Sequence, residues 1–198
     1  DSLSLDMDIR MLAWSCALFH DIGRFPQFAR YRTFYDAGSV DHGELGASFF
    51  TTNPLPGTIP EDWNTIIHDA VHYHNRHVLP PELPDITRLI LGILRDADKL
   101  DIMAIMVRQF DSGRKADPSV VLHLPDTPGY TPEVYRSVIS GRTVSNSLRR
   151  NQNDMKLGYL AWVFDLNHSY SLCHVRDNKL LDALAGILPD THEIRQAK

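Results

Sequence analysis

The sequence predicts an all-α protein, on three observations. Apolar residues recur at three- and four-residue spacing in several separate stretches, cap and stop residues flank those stretches, and no long alternating pattern marks a strand. Ile9, Leu12, Ala13, Cys16 and Ala17 form the first stripe, so a helix is expected over residues 6–22. Gly23 then reads as its stop, because glycine takes the left-handed turn without a Cβ clash. Residues 24–39, with Pro26, many aromatics and Gly38, read as irregular or short helical. Asp41-His42-Gly43-Glu44 resembles a capping box and opens a helix to about Thr52, stopped by Asn53-Pro54. A Pro-rich loop leads to a helix over about 62–75, striped by Trp63, Ile66, Ile67, Ala70 and Val71. Pro80, Pro81 and Pro84 break the chain again. A long helix follows over about 85–110, with Ile86, Leu89, Ile90, Ile93, Leu94 and Ala97 as its stripe. After a polar loop, Thr131 as cap and Pro132 in the first turn start another helix, and two or three more cover 151–188.

Composition narrows the partners. A chain of 198 residues, 43% hydrophobic and 23% charged, fits one domain with ample core. A net charge of −5 gives no basic footprint for bulk nucleic acid, although a few local cations suffice to hold a nucleotide. Cys16 and Cys173 show no paired or metal-type spacing; Cys16 lies on an apolar face and reads as core, which suits a cytoplasmic protein. No stretch is long and apolar enough to span a membrane. The chain has no initiator Met and a helix begins almost at once, so an N-terminal segment is expected to be missing. A homo-oligomer is left open.

The chemistry concentrates in His20-Asp21, which stand together at the end of the first stripe. At roughly 100° per residue, His20 falls inside the apolar arc and Asp21 at its margin. A buried carboxylate is usually paired or bound to a metal, so the pair asks for a cation. His74 lies about 20° from Trp63, inside its stripe, whereas His68 and His72 fall about 140° and 180° away, towards solvent or a cleft rim. His74 thus repeats His20: each stands eleven residues after the first stripe residue of its helix. His42 sits in a first helical turn beside Gly43 and Gly46, small residues that let another helix approach. Asp96, Asp98 and Asp101 form an acidic cluster; by angle Asp101 falls within the stripe and Asp98 on its edge, so at least one should reach the interior. His20, Asp21, His42, His74 and an acid near 98 would offer ligands from four helices to a shared interior, as helical bundles do for dinuclear sites. Imidazole and carboxylate donors suit Mn²⁺, Fe²⁺, Zn²⁺ or Ni²⁺.

His20-Asp21-Ile22-Gly23-Arg24, Asp41-His42-Gly43-Glu44-Leu45-Gly46, Val71-His72-Tyr73-His74-Asn75 and Arg95-Asp96-Ala97-Asp98-Lys99-Leu100-Asp101 together resemble the HD-domain metal-dependent phosphohydrolase superfamily. The likeness covers residues 9–106, and 159–167 resembles the tail of a bacterial subgroup. It implies a single HD domain over 1–198, an all-α bundle with metal buried between helices and the helices of 131–190 packed on it. His20 and Asp21 would be central ligands, Asp21 bridging when two ions are present. His42 and His74 match the extra histidines of dinuclear members, and Asp98 the family's final aspartate, although the helical angle favours Asp101. The family's first ligand histidine lies upstream of the His-Asp pair; none precedes His20, so it is either missing with the N-terminal segment or lost. One or two divalent ions (Mn, Fe, Ni, Zn or Mg) are implied. The implied reaction is metal-assisted hydrolysis of a phosphate ester, a nucleotide or another small phosphorylated substrate. Asp21 and Arg24 would be catalytic, Arg24 neutralising phosphate charge. Lys99 and Arg76 are weaker candidates, as readily surface residues; Arg149, Arg150 and Lys156 read as decoration of a helix. Two other functions fit the pattern: a di-iron oxygenase of the HD type, and a catalytically inactive HD binding or regulatory module.

Overall fold

Helix formation follows the apolar spacing through most of the chain. The computed structural model describes residues 3–53, 59–111 and 117–197, and among these all regular structure is helical. Chain contacts divide the protein into two units, Asp1–Arg95 and Asp96–Lys198, the boundary falling within one long helix. None of the described helices is long and apolar enough to cross a membrane.

In the first unit, α1 (Met7–Phe19) is capped by Asp6, whose carboxylate accepts from the Ile9 amide. It ends three residues before the expected Ile22, and residues 20–23 make a turn. The expected left-handed stop at Gly23 is overturned: its φ is −67°, in the right-handed region. Glycine is needed there for a different reason. A Cβ on Gly23 would stand 2.0 Å from the His42 carbonyl oxygen and 2.6 Å from the Gly46 amide nitrogen, so only glycine lets the turn lie on the next long helix. The stretch expected to be irregular begins with α2 (Arg24–Tyr31), followed by a 3₁₀ turn at Asp36–Gly38. Pro26 sits in the first turn of α2, where a missing N–H breaks no helical bond.

α3 (His42–Thr52) opens under Asp41, which accepts from the amides of Gly43 and Glu44 as the capping pattern predicts. Glu44, however, pairs with Arg76 instead of reaching back to the cap. The expected stop at Pro54 and the Pro-rich loop through residue 58 lie outside the described residues. α4 (Glu61–Tyr73) carries the predicted stripe and packs on α1 and α3. At the α3–α4 crossing, a Cβ on Gly43 would meet the carbonyls of His72 and Val71 at 3.0 and 3.1 Å. Leu12, Cys16, Ile66, Ile67, Ala70 and Val71 bury together with Ile90, Leu91 and Leu94 from the start of α5 (Asp85–Asp111). Each large aliphatic side chain so buried contributes on the order of 1.5–3 kcal/mol. Cys16 is core as expected, and burial pushes its thiol pKa up to about 12.

The second unit contains residues 96–111 of α5, then α6 (Pro132–Ile139), α7 (Gln152–Leu160), α8 (Ser169–Asp177), α9 (Leu180–Gly186) and α10 (His192–Ala197). Of the polar loop expected between Phe110 and Thr131, residues 112–116 lie outside the described residues, and 117–130 form turns and irregular chain. Met103, Val134, Met155, Leu157, Leu184 and Ile194 centre its core. Several cations depart from the surface reading. Arg149 and Lys156 are buried, lying over the Tyr159 and Phe110 rings at 5.2 and 4.2 Å; Arg150 alone of the three is exposed. Lys99 is buried too, 2.7 Å from the Asp165 carboxylate. Among the acids of α5, the helical angle pointed to Asp101, yet Asp101 is exposed and Asp96 is buried. Asp96 can be buried because it accepts from the amides of Asn167 and His168, at 2.8 and 2.9 Å.

Candidate metal centre

His20 and His74 hold the same place on their helices. Each is the C-cap residue, of α1 and α4, with helical backbone and an amide bonded to the carbonyl four residues back. Each Nδ1 lies against the carbonyl three residues back, Ala17 at 2.7 Å and Val71 at 2.8 Å. A carbonyl only accepts, so each Nδ1 carries a ring proton, and Nε2 is the atom left to bind a cation or a second proton. The eleven-residue equivalence seen in the sequence is therefore an equivalence of helix ends. Arg95 braces the second of these ends, donating to the carbonyls of His74 and Arg76.

His42 is the first residue of α3, and its Nδ1 lies 2.7 and 2.9 Å from the two carboxylate oxygens of Asp36. Its Nε2 likewise points inward. All three Nε2 atoms turn towards Asp21, in the turn between α1 and α2. Asp21 Oδ1 is 3.2 Å from His42 Nε2 and 3.7 Å from His74 Nε2, and Oδ2 is 3.7 Å from His20 Nε2. His42 Nε2 and His74 Nε2 stand 2.9 Å apart. The His20 and His42 rings each meet the His74 ring edge-on.

Lone pairs brought that close repel unless a proton or a metal cation lies between them. Burial pushes the Asp21 carboxyl pKa up, but hydrogen bonds to His42 and His74 and the charges of Arg24 and His20 outweigh it, holding the group well below the carboxylate range. Burial pushes the His42 pKa down, and the bonds to Asp21 and Asp36 outweigh that, leaving it raised. Both shifts reflect pairing of these carboxylates with the imidazoles around them. His42 and His74 are buried, whereas the Asp21 side chain is 42% exposed, so the cluster opens to solvent on the Asp21 side. Arg24 Nε donates to Asp21 Oδ1 at 3.0 Å and its Nη1 to the Phe34 carbonyl at 3.0 Å, so the guanidinium stands at that opening.

Asp21, His42 and His74 offer donor atoms within 4.8 Å of one another and form one group able to hold a metal ion; Asp36, Asp41 and His42 form a second. The two differ in what their lone pairs already do. Asp41 accepts from the amides of Gly43 and Glu44 and from Asn75, and Asp36 accepts from Gln27 and faces His42 Nδ1. That second set is occupied as outer support. In the first set the lone pairs face each other, and the donor chemistry fits a divalent ion.

His20, Asp21, Arg24, His42 and His74 are thus brought together as the sequence predicted. The cluster is built from the first unit alone; Asp98 belongs to the second unit, half-buried on α5. His68 and His72 stand outside the cluster, half-buried, with rings stacked 6.1 Å apart. Asp36 and Gln27 were missed. Asp36 lies in the stretch read as irregular, and a buried glutamine leaves no local signal. No family model, curated protein or solved structure matches the chain.

Proposed function

We propose that the chain is a metal-dependent phosphohydrolase of the HD type, acting on a nucleotide or another small phosphorylated substrate. One observation carries the reading: three imidazole Nε2 atoms and the Asp21 carboxylate converge in a pocket that opens to solvent beside an arginine. His20, Asp21, His42 and His74 would hold one or two divalent ions. A nitrogen-rich set of this kind favours Mn²⁺, Fe²⁺, Ni²⁺ or Zn²⁺ over Mg²⁺. When bound, such an ion lowers the pKa of water from 15.7 towards about 7 and polarises phosphoryl oxygens. The protein's own groups do the rest. Asp21 anchors the pocket through both carboxylate oxygens, and Nδ1 hydrogen bonds keep the imidazoles facing inward. Arg24, fixed by Asp21 and the Phe34 carbonyl, neutralises phosphate charge at the opening.

The test is metal analysis of the purified protein, followed by titration with Mn²⁺ and assays over nucleotides, sugar phosphates and phosphodiesters. Saturable binding with phosphate release is expected, and Asp21→Ala should abolish both. Protein loaded with Mn²⁺ that stays inert on the whole panel would overturn the hydrolase reading. Iron-dependent O₂ consumption without phosphate release would replace it with the oxygenase.

A further inference from the structure

We propose that Asp36, held in place by Gln27, is the positioning residue that makes His42 a ligand; this rests on reading the cluster as a metal centre. The three histidines obtain their Nδ1 partners in two ways. For His20 and His74 the partner is a carbonyl of their own helix, so a helix end supplies it automatically. His42 is in a first turn, with no helical carbonyl three residues behind it. Its Nδ1 is met instead by a side chain six residues back.

That difference matters because a neutral imidazole has two tautomers of similar energy, and its neighbours choose between them. The His74 Nε2 lone pair at 2.9 Å and Asp21 Oδ1 at 3.2 Å both face His42 Nε2 and would accept a proton carried there. Such a tautomer would block the ligand atom. Asp36 is the competing acceptor, closer and with both oxygens in reach, at 2.7 and 2.9 Å. It keeps the proton on Nδ1 and the lone pair on Nε2. A carboxylate behind a ligand histidine also raises its basicity more than a neutral carbonyl does.

Gln27 fixes Asp36. It is wholly buried, and its amide nitrogen lies 2.8 Å from Asp36 Oδ1, 3.0 Å from Ser39 Oγ and 2.9 Å from the Val40 carbonyl. One side chain on α2 therefore ties together both ends of the segment that carries Asp36. Flipping the amide would set its oxygen against a carboxylate and a carbonyl, so the orientation is determined. In that orientation Oε1 is buried without a hydrogen-bond partner, a costly arrangement for a core side chain. The amide's N–H donors, bonded to Asp36, Ser39 and the Val40 carbonyl, offset part of that cost.

The first measurement is ¹⁵N-histidine NMR of the EDTA-treated full chain, which reads the His42 tautomer with no metal present. At a pH where His42 is neutral, the wild type should carry its single proton on Nδ1. Asp36→Ala should release that preference, and Asp36→Asn, whose amide oxygen still accepts, should restore the tautomer without the charge. The second is Zn²⁺ affinity by chelator competition. Asp36→Ala should weaken binding by about 10–100-fold, with Asp36→Asn intermediate and Gln27→Leu also weakened. A wild-type His42 with its proton on Nε2 would overturn the proposal even if every variant fails to fold. So would unchanged affinity in Asp36→Ala. A correct wild-type tautomer with no Zn²⁺ binding would instead sink the metal-centre reading, and Asp36's role in ligation with it.

Discussion

Arg24 shows how much one side chain can be asked to do. Its Nε bonds Asp21 and its Nη1 bonds the Phe34 carbonyl, so the guanidinium is anchored at two points and still borders the opening of the cluster. A preorganised charge of this kind acts where charge develops on a reacting phosphate, and losing one typically costs about 10²-fold. Under the proposed hydrolysis, Arg24→Ala should lower kcat/KM by about 10²-fold, or about 2.7 kcal/mol, while metal uptake persists. Arg24→Lys should not restore activity, because an ammonium cannot reproduce the forked contact with a carboxylate and a carbonyl. Kinetics and metal stoichiometry measured on the same preparations check this. Unchanged turnover in the alanine variant would remove Arg24 from the machinery.

Between elements, the distance from the α1–α2 turn to α3 decides whether Asp21 and His42 meet at all. Gly23 sets that distance. An added methyl there would press on the backbone of His42 and Gly46, which no rotamer change relieves. Gly23→Ala should destabilise the protein by about 3 kcal/mol, at the upper end of overpacking costs, and weaken metal binding as well. Gly186→Ala makes the control. A Cβ at Gly186 would meet nothing within 4 Å, so that variant should stay within about 0.5 kcal/mol of wild type. Urea unfolding of the two variants reads the difference, and equal midpoints would refute the close-approach role of Gly23.

On the scale of the whole molecule, each unit has its own apolar core, and the second carries a buried carboxylate that makes it sensitive to acid. Burial pushes the Asp96 pKa up, but bonds from Asn167, Ser171 and His168 outweigh it and hold the pKa below its ordinary value. A depressed carboxyl pKa contributes stability that is fully present above the unfolded value of ~3.9. That contribution is lost as pH falls through the lower folded value. Asp96→Asn should therefore be less stable than wild type near pH 7, with the two urea midpoints converging as pH drops below about 4. A gap that stays constant down to pH 2 would refute this account of Asp96. The sequence alone determined the all-helical class and most of the helices, the Asp41 cap and the matching of His20 with His74. Each of these follows from hydrogen bonds and side-chain spacing within one or a few turns. It did not reveal the packing role of Gly23, the Asp36–Gln27 support, the burial of Asp96 in place of Asp101, or the burial of Lys99, Arg149 and Lys156. Those depend on what lies opposite a helix face. A position on an ideal helix gives the direction a side chain leaves its own axis; only the tertiary structure supplies the partner that makes a buried charge or a missing Cβ tolerable.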